Sequence, residues 1–500
     1  MRFSIADSIA TRCFAHPDRI AVEAVGGAEG MTYGELWRRI AGLAEAASRC
    51  ATGRHGRMAG LLLPNGADAA LAIAACQRAG VVAVPVNGRL TRTEAQYVLS
   101  HADCGLLVTG GLYADAAVAV AEPLGIAVVN VDGIETPPVA ARPVLGEREI
   151  GGEPCVVGYT SGTTGFPKGA IYSHDYYSMN NYRWGWQFGL TPDEVVLITG
   201  PMFHLSYAGF ALAALSIGAR IRIMEDFSAA VALDELRHRS SFAFLVPSML
   251  DMVAEQWEAL GRPPIARARH IITAGAPARL SLLRTAMEMF PNARIAEMYG
   301  WTEGAFVTYE VKDAGTLVET CVGWPALGAD VAVFDEDGGT CSVGEPGEIG
   351  VKSAVPFAGY LGDEEATRKA HHRDYLLSGD IGRWLPDGRL CVVDRKKDVI
   401  ITGGENVYGA EVERVLLRHE AVAEAAVVGI PDERWGQRVA AALVLKPGAE
   451  ADPDGVTAFC REHLAGYKAP RVVRFAGELP RNSMGKILKY QVAGLFSTEP

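Results

Sequence analysis

The 500-residue sequence offers little that would staple it, anchor it or draw it to a polyanion. Its nine cysteines are scattered and no CxxC pair occurs. A disulfide framework and a zinc ribbon both depend on such pairing, so the expectation is a reducing, cytoplasmic compartment. Positive charge is also short, with 47 Lys and Arg against 59 Asp and Glu and a formal net charge of −12. Recognition of nucleic acid through its phosphates needs a basic face, and none is expected here. Asp7 interrupts the apolar stretch that a signal peptide needs. Only residues 195–219 run long without Asp, Glu, Lys or Arg, and Gly200, Pro201, His204, Gly209 and Gly218 break that run. A loop followed by a buried helix fits it better than a bilayer span, so no integral membrane segment is expected. Internal repeats and low-complexity tracts are missing as well. What remains, 49% apolar and 21% charged, is the composition of a folded globular chain.

Five hundred residues exceed what one hydrophobic core organises, which argues for two or more domains. Short apolar runs alternate with helical patterns. Thr32 with Glu35, and Thr91 with Glu94, form T-x-x-E capping boxes that open helices. Between and after them come strand-like GLLLP (60–64), an Ala-rich helix closed by Gly80, VVAVPV (81–86) and GLLVT (105–109). After a surface loop at 135–154, strand and helix alternate again from 195 to 275. Such alternation predicts parallel sheet covered by helices. From about 320 to 395 the texture turns to hairpins, with turns at Asp337-Gly338 and Asp387-Gly388. A last block of about a hundred residues is large enough for a small domain. The expected fold is therefore α/β: a large N-terminal domain of two α/β subdomains plus a β-rich one, then a small α+β C-terminal domain.

The most informative stretch is YTSGTTGFPKGA (159–170). It follows an apolar strand and sets the hydroxyls of Thr160, Ser161, Thr163 and Thr164 among Gly162, Gly165 and Gly169, with Lys168 at its end. Glycines let main-chain N–H groups approach an anion, and hydroxyls and a lysine add donors and charge. The string is not the triphosphate loop GxxxxGK[ST], because Pro167 precedes Lys168.

This string closely resembles the signature of the adenylate-forming superfamily, which includes acyl-CoA synthetases, luciferase-like enzymes and peptide-synthetase adenylation domains. Five further segments extend the resemblance in order along the chain: PMFHL (201–205), TAGAP (273–277) with EMYGWTEG (297–304), SGD (378–380), DRKKDVIITGGENVYGAEVE (394–413) and LPRNSMGK (479–486). The similarity implies a chain divided into an AMP-binding domain, 1–396, and a swivelling C-terminal domain, 397–500. It also implies chemistry in which a carboxylate is joined to the α-phosphorus of ATP and a thiol then attacks the acyl-adenylate. Both reactants of the first step are anions, so their charges must be screened and the developing phosphoryl charge stabilised.

Carried over residue by residue, the resemblance gives Lys486 the α-phosphate and the substrate carboxylate, Thr302 a donor to the α-phosphate, and Glu303 the Mg²⁺, for which a hard oxygen ligand is suited. Gly275, Ala276 and Pro277 would line one side of the adenine, with Glu297, Met298 and Tyr299 on the other. Asp380 would accept from the ribose hydroxyls, assisted by Arg395. His204 would gate or orient the carboxylate, although a histidine in such an apolar setting is by itself more often a satisfied core residue. Lys397 occupies the hinge position, about which one site is first closed on ATP and then opened to a thiol. His419-Glu420 begins like a zinc helix but Ala423 replaces the second histidine, so no zinc is expected.

Gly300 stands where acetate-specific members carry a tryptophan, which suggests room for a longer acid, while Trp301 narrows the cavity. Segment 201–215 has no Asp or Glu to meet an α-ammonium, and neither 243–250 nor 271–277 offers an Arg or Lys for a second carboxylate. The acid expected is a monocarboxylate, aliphatic or aryl. For the acceptor, Gly403 and Gly404 would pass a pantetheine arm, and Trp435, Lys468 and Arg471 resemble a CoA-nucleotide surface. A solvated basic edge is the plainer reading of the last three. ATP, Mg²⁺ and CoA are thus the expected co-reactants, with an acyl-carrier protein as the alternative acceptor.

Overall fold

The computed structural model describes residues 4–27, 29–137, 150–160, 167–481 and 487–496. The chain forms two compact units, Met1–Val331 with Val351–Leu376, and Ala332–Gly350 with Leu377–Pro500.

In the first unit, helices begin where side chains satisfy their orphan N–H groups. Thr32 and Glu35 close a reciprocal box at the start of Tyr33–Ala47, and Thr91 and Glu94 do the same for Arg92–Ala102. A third box, Ser4 with Asp7, opens Ile5–Ala15. Asp7 is therefore a capping residue. Helix Ala67–Ala79 stops at Gly80, whose φ of +64° is a left-handed position that glycine adopts without strain.

Two largely parallel sheets follow from the alternating pattern. In one, the strand order is Ala127–Asn130, Leu106–Thr109, Met58–Leu62, Val82–Pro85, Pro154–Thr160 and Lys168–Ser173, with only the last pair antiparallel. In the other, Arg294–Tyr299, His270–Ala274, Phe242–Phe244, Val195–Ile198, Arg220–Ile223 and Ile20–Ala24 run parallel. Parallel strands put all their carboxyl ends on one edge, and the chain leaving that edge builds the crevice where α/β proteins bind ligands. Segments 199–204, 275–277 and 300–304 all leave strands of this second sheet at that edge.

The uncharged window resolves as helix Leu205–Ile217, buried from Tyr207 to Ser216. A helix apolar all round is a core helix when it is this short. Phe210 on it packs against Trp184 at 4.9 Å and Phe242 at 5.2 Å between ring centroids. Among the described residues no helix is long and apolar enough to cross a membrane.

The second unit pairs Tyr375–Trp384 with Leu390–Arg395, Asp380 lying opposite Arg395. The expected turn glycines, Gly338 and Gly388, take φ of +79° and +82°. Beyond it a sheet runs Glu405–Tyr408, Val399–Thr402, Gly436–Leu445, Val422–Asp432, with Val472–Phe475 joined to Gly436–Leu445. Helices Gly409–Leu416 and Pro453–His463 close its core through Val412, Val415, Leu416, Val456 and Cys460.

Most of the charge buried in the first unit's core, among the described residues, is paired. Lys312, 1% exposed at its side chain, reaches Glu297 at 2.9 Å, Glu310 at 2.7 Å and the Cys321 carbonyl at 2.6 Å. Burial alone would push its ammonium down, but the two glutamates outweigh burial and hold it above its ordinary range. Removing one member of such a cluster leaves uncompensated buried charge, at a cost of about 3–5 kcal/mol. Lys312→Met should lower the unfolding free energy by that amount in denaturant melts, and a loss below about 1 kcal/mol would contradict the buried-cluster reading.

Candidate active site

Thr160 and Lys168 are Cα partners in the antiparallel pair formed by Pro154–Thr160 and Lys168–Ser173, so the segment between them, expected to cradle phosphate and called the phosphate loop below, leaves and returns at neighbouring points. Ser161, Gly162, Thr163, Thr164 and Gly165 lie outside the described residues, as does Lys486. The Lys168 ammonium sits 3.9 Å from Asp363 and 5.2 Å above the Tyr360 ring.

The segment 302–306 is gripped from behind. The Tyr172 hydroxyl donates to the Thr302 carbonyl, and the Tyr176 hydroxyl donates to the Glu303 carbonyl. Asn180 Oδ1 accepts from the Phe306 amide at 3.3 Å, and Arg183 donates to the Phe306 carbonyl at 2.8 Å. Tyr176, Asn180 and Arg183 stand at helical spacing on His174–Phe188, which places them on one face, and Tyr172 precedes them on the adjoining strand. Burial raises the Tyr172 and Tyr176 phenols well above their ordinary range, so both remain protonated donors. None of these four was singled out from the sequence. The spacing of 176, 180 and 183 was the available signal.

Glu303 itself is half-buried, and Tyr360 donates to its Oε1 at 2.7 Å. Among the described residues no Lys, Arg or His pairs with this carboxylate, and no three His, Cys, Asp or Glu side chains gather into a metal cage. A single charged oxygen ligand suits a cation that keeps most of its shell from waters and substrate phosphates, as Mg²⁺ does. The residues present fit that ion.

The loop's glycines are dictated by its own closure. A Cβ on Gly300 would lie 1.7 Å from the Ala305 carbonyl oxygen, and one on Gly304 would lie 2.5 Å from the Trp301 ring. Ala305 returns its amide to the Trp301 carbonyl at 2.7 Å from a left-handed φ of +53°. Glycine at 300 thus serves a tight turn, and the space beside it is filled by the Ala305 carbonyl instead of standing open to a longer acid. Replacing Gly300 by Trp would distort this turn before it filled any cavity.

On the side expected for adenine, Gly275, Ala276 and Pro277 are exposed and Tyr299 is half-buried, whereas Glu297 and Met298 are buried. Glu297 spends one oxygen on the Ala278 amide at 3.1 Å and the other on Lys312. Its carboxyl, raised by burial against the pull of Lys312, pins the turn beyond Pro277.

His204 sits at the start of Leu205–Ile217, its ring 4.4 Å from that of Phe203. A Cβ on Gly158 would touch Leu205 at 2.6 Å and Thr302 at 3.7 Å, so this helix start and the 302–306 segment meet at the strand leading into the phosphate loop. Burial, with Arg89 adding to it, pushes the His204 imidazole down to about 4. It is neutral at pH 7, and among the described residues it forms no ion pair.

In the second unit Arg395 pairs with the buried Asp380 at 2.8 Å, which joins the two residues expected at the ribose. Lys397 lies in the 3₁₀ turn Lys396–Asp398. Just before it, Asp394 accepts from the Ala410 amide at 3.0 Å. Gly403 and Gly404 take φ of +61° and +84° in a turn. A Cβ on Gly403 would lie 2.7 Å from Trp435, and Arg434 and Arg471 lie 4.9 and 5.1 Å from that ring. Lys468 is bound to Glu411 at 2.7 Å. The ring on which a base was expected to stack thus already carries two guanidinium neighbours. Arg471 also lines an open polar cavity of about 560 Å³ with Asp454, Thr457, Arg461 and Gly466.

The lowered His204 value carries a sign. A base whose folded pKa falls below its unfolded value near 6.5 stabilises the fold above that pH, and the contribution is lost as pH drops towards 4. Denaturant melts at pH 7 and pH 5 should show a loss of about 1–2 kcal/mol that His204→Gln does not share. Equal losses in both proteins would contradict it.

Residues 9–361 match the AMP-binding enzyme family and residues 411–486 match the AMP-binding enzyme C-terminal domain. A feruloyl-CoA synthase from Amycolatopsis sp is 33% identical over 478 residues, 94% of this chain and 95% of that protein. A 2-succinylbenzoate–CoA ligase from Bacillus licheniformis is 30% identical over 486 residues, 95% and 97% of the two chains. Among solved structures, the amide bond synthetase McbA from Marinactinospora thermotolerans matches with a TM-score of 0.87 at 29% identity over 98% of this chain and 99% of that one. An o-succinylbenzoate CoA synthetase from Bacillus subtilis, in complex with its acyl-adenylate intermediate, matches with a TM-score of 0.85 at 30% identity over 97% of each. The chain therefore belongs to the AMP-binding enzyme family and is a ligase of the acid–thiol class that its named relatives represent.

Proposed function

We propose that this chain is an AMP-forming acyl-CoA synthetase for a monocarboxylic acid, medium or long aliphatic or aryl. The observation that carries the reading is the clamped 302–303 backbone with a Glu303 carboxylate that no cation among the described residues neutralises, beside the strand Lys168–Ser173. In the first step an oxygen of the acid attacks the α-phosphorus of ATP, the bond to pyrophosphate breaks, and an acyl-adenylate forms. Thr302 donates to the α-phosphate, and Lys486 meets the α-phosphate and the acid. Glu303 holds Mg²⁺, which supplies charge neutralisation when bound. Neutral His204 orients the carboxylate by hydrogen bonding, without the competing ion pair a charged imidazole would make. In the second step the thiol attacks the acyl carbon and AMP leaves.

Three further assignments belong to this reading. Asp380, oriented by Arg395, accepts from the ribose hydroxyls. The functional boundary falls at Lys397, between domains 1–396 and 397–500, and rotation there would separate Asp394 from Ala410. Gly275, Ala276, Pro277 and Tyr299 face adenine, while Glu297 acts from behind by fixing their turn. An apolar helix start around His204, with no carboxylate in 201–215, supports a monocarboxylate held by apolar contacts. Nine free cysteines, eight of them buried, support a reducing cytoplasm. A carrier-protein thiol is the alternative acceptor, and the amide bond synthetase among the structural neighbours adds an amine to those worth testing.

A pyrophosphate-release screen across carboxylic acids should give a thioester product only when CoA is present. Acyl product formed with a carrier protein or an amine, and not with CoA, would reassign the acceptor. Lys486→Ala should abolish pyrophosphate release yet largely spare thioester formation from supplied adenylate, whereas equal loss of both would break the two-step assignment. Lys397→Pro should do the reverse, slowing thioester formation while leaving pyrophosphate release near wild type. Equal slowing would place the hinge elsewhere.

A further inference from the structure

Segment 359–361 is hydrogen-bonded onto the strand that leaves the phosphate loop: Ile171 donates to the Gly359 carbonyl at 2.9 Å and Leu361 donates to the Gly169 carbonyl at 2.8 Å. Tyr360 therefore rides on that strand. Its amide is fixed by Thr367 Oγ1 at 2.8 Å, and its ring meets Phe357 edge-on at 5.2 Å. From this mount the phenol donates to Glu303 Oε1 at 2.7 Å, while the Lys168 ammonium lies over the ring face. Lys168 is drawn to Asp363 at 3.9 Å instead of to Glu303. A phenol is a neutral donor at neutral pH.

A neutral donor orients a carboxylate without discharging it. An ammonium in the same place would neutralise the charge that a cation needs, and would spend the lysine's own charge as well. We propose that Tyr360 is a positioning residue that aims Glu303 at the cation of a nucleotide, keeps it apart from Lys168, and so ties the metal-binding carboxylate to the phosphate-loop strand. The inference rests on the adenylate-forming reading above. It adds a residue that acts on the nucleotide only through Glu303.

The test is calorimetric binding of ATP to the full chain, with Mg²⁺ and separately in EDTA. Tyr360→Phe keeps the ring and should weaken Mg·ATP binding roughly tenfold, leaving binding in EDTA within about twofold of wild type. In a Glu303→Gln background the same change should cost nothing further. Tyr360→Ala should lose more than Tyr360→Phe, because the ring that separates the two charges is gone too. Equal weakening with and without Mg²⁺, or losses that multiply in the double variant, would overturn the proposal. If wild type gains nothing from Mg²⁺, the adenylate-forming reading itself fails, and this inference with it.

Discussion

Two anions have to meet in adenylate formation, and under the function proposed above the first unit has to hold an acidic side chain near them without neutralising it. The answer here is neutral donors. Phenols from Tyr172 and Tyr176 hold the 302–303 backbone, and Tyr360 holds the Glu303 side chain. Each phenol is raised by burial, so none competes as an anion. The parallel sheet supplies the setting, because strands that share a direction deliver segments 199–204, 275–277 and 300–304 to one edge. Of the buried cations, Arg183 holds the Phe306 carbonyl, at the far end of segment 302–306. Lys312 is committed to Glu297 and Glu310, and through Glu297 it stabilises the turn after Pro277.

Much of the fold was legible because its signals are local. The boxes at Thr32 and Thr91, the glycine at 80 and the uncharged run at 205–217 each specify one element through capping, a left-handed stop or all-round burial. The Asp380–Arg395 pair was also legible, through the resemblance that named both residues. The tyrosine grip was not, since a phenol's partner is a main-chain carbonyl more than a hundred residues away and carries no sequence mark. Tyr360 lies in a loop with no periodicity at all.

Glycines show the opposite difficulty, since one residue type answers several physical demands. At Gly300 the sequence suggests open space, and the structure fills that space with the Ala305 carbonyl. Gly403 was read as a passage for a thiol arm, and its missing side chain is what seats the Trp435 ring. Sequence alone distinguishes neither case, because a missing Cβ serves a ligand and a neighbouring group equally well. The charge on the second unit follows the same lesson: Lys468 looked like a phosphate contact, and it is folded against Glu411.

Oxygen labelling tests the central claim most directly. An acid carrying ¹⁸O in its carboxylate, turned over with ATP and CoA, should leave one labelled oxygen in the phosphate of AMP, since that oxygen bridges acyl carbon and phosphorus in the adenylate. Label found instead in inorganic phosphate, with ADP as the nucleotide product, would contradict an acyl-adenylate and the account built on it.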